Sequence, residues 1–521
     1  MAYVNFAAVL LLMILLGTAS ATTNEYRLWI EPSAKKILQD ALPSEQAPSA
    51  ADLCAARNEW ESFQICLRSN KTIRNIGAEA SDLKQVKGKG VIPSTNIWLG
   101  LVSYVPIMNP PIPYPDPLPP LRPFDLQPNV TQPIWVTVKV PEGIPAGEYK
   151  GSIKVTAGRF TSNIAIKLHV WDFTLPKTPS CVTAFGITME SVARTHGATG
   201  SAEKTLELHK KYYEMLLDHK ISPYHIPVDL MSPDAKAYLE DPRMTSYIIP
   251  YIEDDAKLKA LVQYLIENNW FRKGYFYPLD EPVDKNAYDR LKQITDRLRA
   301  IEPRYRIVAP FFRGPDFAEG KTIWDFAIGQ INIWCPNEHY FDLEPRTRLM
   351  IRARKNAGED VWWYVCCGPG DPYSNFFVQQ EAMKHRMLFW HQKREGVDGL
   401  LYWSTTYWMP WAGCDDPWKS MMTVKNINPN IFGDGSLLYP GKPVGIDGPV
   451  SSLRLEVIRD GIEDFEYLCL ANNLLGSSAT NQYIRTVAKS LTDYELDPLK
   501  LEKVRRRLGM AIEKAFQNKI N

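Results

Sequence analysis

A change of rhythm near Thr174 constrains this chain more than any other feature. Before it, short alternating stretches recur at Glu61–Leu67, Ile134–Val140, Tyr149–Thr156 and Asn163–Trp171, separated by turns such as Pro141-Glu142-Gly143 and Pro145-Ala146-Gly147-Glu148. That period of two with no long helical pattern predicts an antiparallel β-sandwich. The proline-rich piece from Pro106 to Pro123 reads as an extended loop laid across a neighbour, since proline suits neither a central strand nor a helix interior.

After Thr174-Leu175-Pro176-Lys177-Thr178-Pro179, strand-like runs alternate with helical ones. The strand candidates are Cys181–Ile187, Pro223–Val228, Thr245–Tyr251, Gly274–Leu279, Arg306–Phe311, Gln330–Cys335, Val361–Cys366 and Val397–Trp403. Helical periodicity separates most of them, as in Lys285–Ile301, where Leu291, Ile294 and Leu298 share a face. Eight such strands predict a (β/α)₈ TIM barrel. A doubly wound open sheet is the alternative, but no glycine-rich dinucleotide fingerprint accompanies it. The expected organisation is a signal peptide at 1–21, a β-sandwich at 22–175, a catalytic barrel at 180–435 and a helical C-terminal extension at 436–521.

The leader rests on the apolar run Phe6 to Leu16 followed by Ala19-Ser20-Ala21, the pattern of an export signal cleaved near Ala21. It predicts a secreted or extracytoplasmic protein without an integral membrane segment once processed. Lys plus Arg (60) balance Asp plus Glu (59), which argues against nucleic acid or anionic membrane as a partner. Fifteen Trp and 25 Tyr fit a glycan or glycoconjugate substrate, because flat aromatic faces stack on sugar rings. Of eight cysteines, Cys54 and Cys66 flank a possible hairpin and make the best local pair, whereas adjacent Cys366 and Cys367 are not expected to bridge each other. Nothing calls for a metal or an organic cofactor. Oligomeric state is not readable from sequence.

Barrel enzymes carry their chemistry on the loops after the strands. Gly274-Tyr275-Phe276-Tyr277-Pro278-Leu279-Asp280-Glu281-Pro282 puts two carboxylates where the fourth strand should end. The competing explanation is helix capping, since acidic residues favour helix N-termini. Most glycosidases flank the anomeric centre with two carboxyls, about 5–5.5 Å apart in retaining enzymes. Neighbours on one strand end suit another division of labour. The substrate's own 2-acetamido group attacks, one carboxylate steadies it, and the other serves as general acid and base.

The Asp280-Glu281-Pro282 strand end resembles the acidic motif of glycoside hydrolase family 123. The run from Ser452 to Leu468, with Arg454, Glu456, Arg459, Asp460, Glu463 and Asp464, is similar to the segment after the barrel in that family, and Ala56–Gln64 to its N-terminal sandwich. The resemblance implies a β-N-acetylgalactosaminidase acting by substrate-assisted retention, with Asp280 stabilising the acetamido group and Glu281 as acid/base. Candidate substrate-binding residues at other strand ends and loops are Trp334, Asn337, Tyr364, Tyr402, Trp403 and Trp408, with Trp411 a further stacking candidate. The charges after Ser452 read as ion pairs docking a helix to the barrel, and the basic tail (Lys503, Arg505 to Arg507) as a solvated helix face. Two alternatives compete with this function: a retaining glycosidase with an enzyme nucleophile such as Glu338, and a carbohydrate-binding barrel without turnover.

Overall fold

The structure is a computed structural model and describes residues 26–108, 110–421 and 430–520. The expected leader at 1–21 lies outside the described residues. No helix among them is long and apolar enough to cross a membrane.

The N-terminal region is built from two sheets. Tyr26–Pro32, Glu59–Ser69, Thr131–Val140 and Ile97–Leu101 form an antiparallel sheet of four strands in that order. The second sheet has seven strands and carries Ile73–Ala80, Gly147–Ala157, Phe160–Thr174 and Ala51–Arg57 side by side. Along Phe160–Thr174 the buried Ile164, Ile166 and Leu168 alternate with exposed Ala165 and Lys167. They meet Ile65, Val136 and Val138 of the first sheet in one apolar core. Each such side chain contributes roughly 1.5–3 kcal/mol by leaving water.

Three expectations are corrected here. Ala51–Arg57 pairs parallel with Phe160–Thr174, so the sheets are not purely antiparallel. Asn58, with φ of 60°, turns the chain out of that sheet and into the other. Cys54 and Cys66 therefore sit in different sheets rather than across a hairpin, and both are free thiols. The proline-rich piece is also partly paired. Tyr104–Ile107 and Ile112–Pro115 form a hairpin, and Pro117–Leu118 pairs with Pro449–Ser452.

Beyond Thr174 the fold is mixed α/β. Five parallel strands run in the order Val182–Phe185, Gly399–Tyr402, Asp360–Tyr364, Ile333–Pro336 and Val308–Phe311. Tyr247–Ile248 and Gly274–Tyr275 form a second parallel pair. Backbone hydrogen bonds join these pieces: Tyr224 N to Phe185 O at 2.8 Å, Ile248 N to Tyr224 O at 2.7 Å, and Phe276 N to Arg306 O at 2.8 Å. The segment expected as a strand at Pro223–Val228 contributes only those local bonds and a bridge between Phe185 and Pro223. Inward side chains Ala184, Tyr275, Val308, Ile333, Cys335, Trp362, Tyr364 and Leu401 form one cluster, and the surrounding helices pack on the opposite faces.

The helical C-terminus begins with Leu453–Leu475, which is buried from Leu453 to Leu468. Its charges are paired accordingly. Arg454 Nη2 lies 2.8 Å from Asp116 Oδ2, in the proline-rich segment. Asp464 takes Arg386 from helix Ala382–Glu395 and Arg505 from helix Pro498–Ile520, each at 2.7 Å. Arg505 also pairs with Glu59 and Glu61 of the first sheet. The sequence-based view of Arg505 as a solvated tail residue is thus corrected: it is 3% exposed and clamps the C-terminal helix to both layers.

Removing one partner of a buried pair strands the other charge, which costs about 3–5 kcal/mol. Asp116→Ala is expected to lose that much stability, read from the urea midpoint, whereas Asp116→Leu with Arg454→Met should recover much of it. An unchanged midpoint in the single variant would remove the pair from the fold's supports.

Candidate active site

The acidic pair lies just beyond the strand Gly274–Tyr275. Tyr275 and Tyr277 point inward and Phe276 outward, as a strand's period of two requires. Tyr277 then donates its hydroxyl to Asp280 Oδ1 at 2.6 Å. Pro282 stops the extended chain, and helix Lys285–Ile301 follows with Asp284 as its cap, accepting from the Ala287 amide at 2.8 Å. Capping, the competing explanation for Asp280 and Glu281, is therefore discharged by another residue.

Glu281 is held differently from Asp280. Its backbone has φ of 41°, a left-handed conformation that costs a non-glycine residue on the order of 1–3 kcal/mol. Asp280 is exposed, while Glu281 is half-buried and accepts the Tyr364 hydroxyl. Burial pushes the Glu281 carboxyl above its ordinary range; the Tyr364 hydrogen bond pulls it back, and the Asp280 charge adds to the rise. Two adjacent carboxyls thus occupy unlike environments, with Glu281 the one biased toward its protonated form.

Of the other sequence candidates, the structure brings Tyr364 to the pair. Asn337 is close behind it: buried, bridged to Tyr364 in the sheet, and donating to the Gly368 carbonyl at 3.2 Å. Trp403 is half-buried and gives its indole N–H to Asp434 at 3.1 Å. Three candidates are corrected. Trp334 has the outward parity of its strand, stacks near Trp324 and donates to Glu359 at 2.6 Å, so it serves the helix layer. Tyr402 also faces outward and is fully buried, donating to Asp434 at 3.1 Å. Trp408 is sealed against Ser436 (2.9 Å), whereas Trp411, on the same loop, is 77% exposed. Glu338, the nucleophile of the rival retaining mechanism, is wholly buried 3.3 Å from His391 Nδ1, and burial raises its carboxyl well above the usual range.

Sequence reading missed Tyr277, Tyr224 and Asp434. Tyr277 was legible from its parity with Tyr275. Tyr224 packs at 6.3 Å edge-to-face on Tyr277, with a buried hydroxyl that has no partner among the described residues. Asp434, also buried, takes both Tyr402 and Trp403; burial lifts its carboxyl to about 6 against those two bonds. No sequence signal marked it, because it lies in a loop after the last strand. No group of His, Cys, Asp and Glu suited to a metal occurs among the described residues.

A strand-end carboxyl pair on an α/β scaffold with an N-terminal sheet region is an arrangement suited to acid–base chemistry, and the comparisons with known proteins give the class and family. The model of the glycoside hydrolase 123 catalytic domain matches residues 190–471, and that of the glycoside hydrolase 123 N-terminal domain matches 38–157. The chain belongs to glycoside hydrolase family 123. Among solved structures it is similar to a family 123 glycoside hydrolase from Clostridium perfringens described for glycolipid glycan hydrolysis, with 14% identity, TM-score 0.70, and coverage of 95% of this chain and 98% of that one. A GH2 β-galacturonidase from Eisenbergiella tayi matches at TM-score 0.31 and 10% identity over 85% of this chain and 73% of that one, too weakly to bear on the fold. No curated protein sequence matches.

Two predictions follow from the geometry. Because the folded state favours neutral Glu281, ionising it costs stability as pH rises past the unfolded carboxyl's range. Glu281→Gln should therefore raise the melting temperature at pH 8 and leave it unchanged at pH 4; equal shifts at both pH values would contradict the raised carboxyl. Trp408→Ala should cost about 3–5 kcal/mol in denaturant unfolding, and Trp411→Ala less than about 0.5 kcal/mol.

Proposed function

We propose that this glycoside hydrolase removes a terminal β-linked N-acetylhexosamine, with N-acetylgalactosamine the favoured sugar, by substrate-assisted retention. The observation that carries the reading is the unlike setting of two adjacent carboxyls: exposed Asp280 tied to Tyr277, and Glu281 raised by burial and touched by Tyr364. In this mechanism Asp280 accepts the acetamido N–H and steadies the oxazolinium as the carbonyl oxygen attacks the anomeric carbon. Glu281, protonated at the outset, donates to the leaving oxygen. It then takes a proton from the water that opens the ring. Tyr277 fixes the rotamer of Asp280, and Tyr364 that of Glu281.

The same proposal includes the architecture. The two parallel sheets and the hydrogen bonds between them are read as one closed (β/α)₈ barrel, because the first strand pairs with the last and the bonds through Tyr224 and Phe276 supply the missing joints. The acids then sit at the C-terminal mouth, where barrel enzymes act. On this reading the sandwich spans 22–175, the barrel 180–435 and the C-terminal extension 436–521, and the apolar leader supports export. A glycan as substrate is consistent with the glycolipid glycan named for the Clostridium perfringens enzyme.

Release of 4-nitrophenol from the β-N-acetylgalactosaminide and from its 2-hydroxy counterpart tests this. Wild type is expected to cleave only the acetamido substrate, and Asp280→Asn and Glu281→Gln to lose about 10²–10⁴-fold in kcat. Equal cleavage of both substrates would overturn the substrate-assisted route.

A further inference from the structure

Cys366 and Cys367 lie two and three residues past Tyr364, in a turn clamped by two buried asparagines. Asn375 Nδ2 donates to the carbonyls of Cys366 and Pro369, both at 2.9 Å. Asn337 Nδ2 holds the Gly368 carbonyl at 3.2 Å, and the Cys366 amide donates to that same carbonyl at 2.9 Å. The turn leaves the two sulfurs 3.7 Å apart, and both thiols only half-buried. Cys366 packs on the inward cluster that contains Tyr364, whose hydroxyl meets Glu281.

The two thiols are not equivalent. With Cys366 as donor, the hydrogen bond between them draws the Cys367 thiol below its ordinary range, against burial and the charges of Asp434 and Glu281. That same bond, with burial, pushes Cys366 up. Burial raises Cys54, Cys66, Cys181, Cys335 and Cys469. An accessible attacking thiol beside a resolving thiol is the arrangement that thiol–disulfide exchange needs.

We propose that Cys366 and Cys367 form a dithiol modification site beside the acidic pair, oxidised to a vicinal disulfide by a low-molecular-weight disulfide. The Cys367 thiolate attacks one sulfur of the reagent, forming a mixed disulfide and releasing one thiolate. Cys366 loses its proton to solvent and attacks Cys367 Sγ, which closes the bond and expels the second thiolate. Two electrons pass from the cysteine pair to the reagent. The sulfurs must close from 3.7 Å to about 2.05 Å. Adjacency argues against a bridge made during folding; here the folded turn supplies the contact instead.

The full chain is incubated with oxidised glutathione, quenched in acid, alkylated and analysed by peptide mass spectrometry. The expected product is a 366–367 peptide two hydrogens lighter and protected from alkylation, restored by dithiothreitol. Cys366→Ser should trap a glutathione adduct on Cys367, and Cys367→Ser should stay unmodified at Cys366. Full alkylation of both residues in wild type, or a glutathione adduct on wild-type Cys367 that never resolves, would overturn the proposal. The readout is mass, so its failure is distinct from a failure of the proposed glycosidase activity.

Discussion

The pairing of charges along Leu453–Leu475 is the constraint on which the rest of the structure depends. From Leu453 to Leu468 the helix has no solvent face to which a charge can retreat, so its charges must be paired, most of them with other layers. Arg454 reaches Asp116, Asp464 takes Arg386 and Arg505, Glu456 meets His219 at 2.8 Å, and Asp460 accepts the Ser33 hydroxyl at 2.9 Å. Those partners come from the N-terminal region, from the helices around the parallel sheet and from the last helix. One element thereby fixes the position of all three. Gly461 lets it approach helix Ala382–Glu395 closely, since a Cβ there would lie 2.3 Å from the Phe389 ring. That neighbouring helix connects the strand ending in Tyr364 to the one ending in Tyr402.

At the site, cost and purpose run together. Glu281 bears a left-handed backbone and a carboxyl biased toward its neutral form, both unfavourable to stability at neutral pH. Asp280, one residue earlier, is exposed and bound to Tyr277. Local geometry thus places two chemically similar groups in unlike settings, one exposed and tethered to Tyr277, the other half-buried with its neutral form favoured. Asp434 repeats the motif on a smaller scale, a buried carboxyl that orients Trp403 and Tyr402 from beneath.

What the sequence by itself determined was whatever short-range periodicity encodes. The switch from period two to alternating strands and helices located the sheets, the parallel strands and the loop bearing Asp280 and Glu281, because backbone geometry and apolar burial act within a few residues. It also marked the run after Ser452 as a paired-charge helix. Tertiary structure alone decided which face of each element meets which neighbour. Trp334 and Tyr402 end their strands as promisingly as Tyr364 does, yet parity turns the first two into the helix layer and the third onto Glu281. Trp408 and Trp411 share a loop but not an environment. Cys54 and Cys66, close in sequence, fall in separate sheets, while Arg505 joins residues more than 400 positions away. The physical reason is common to all: a side chain's surroundings are set by long-range packing, which leaves no period in the local sequence.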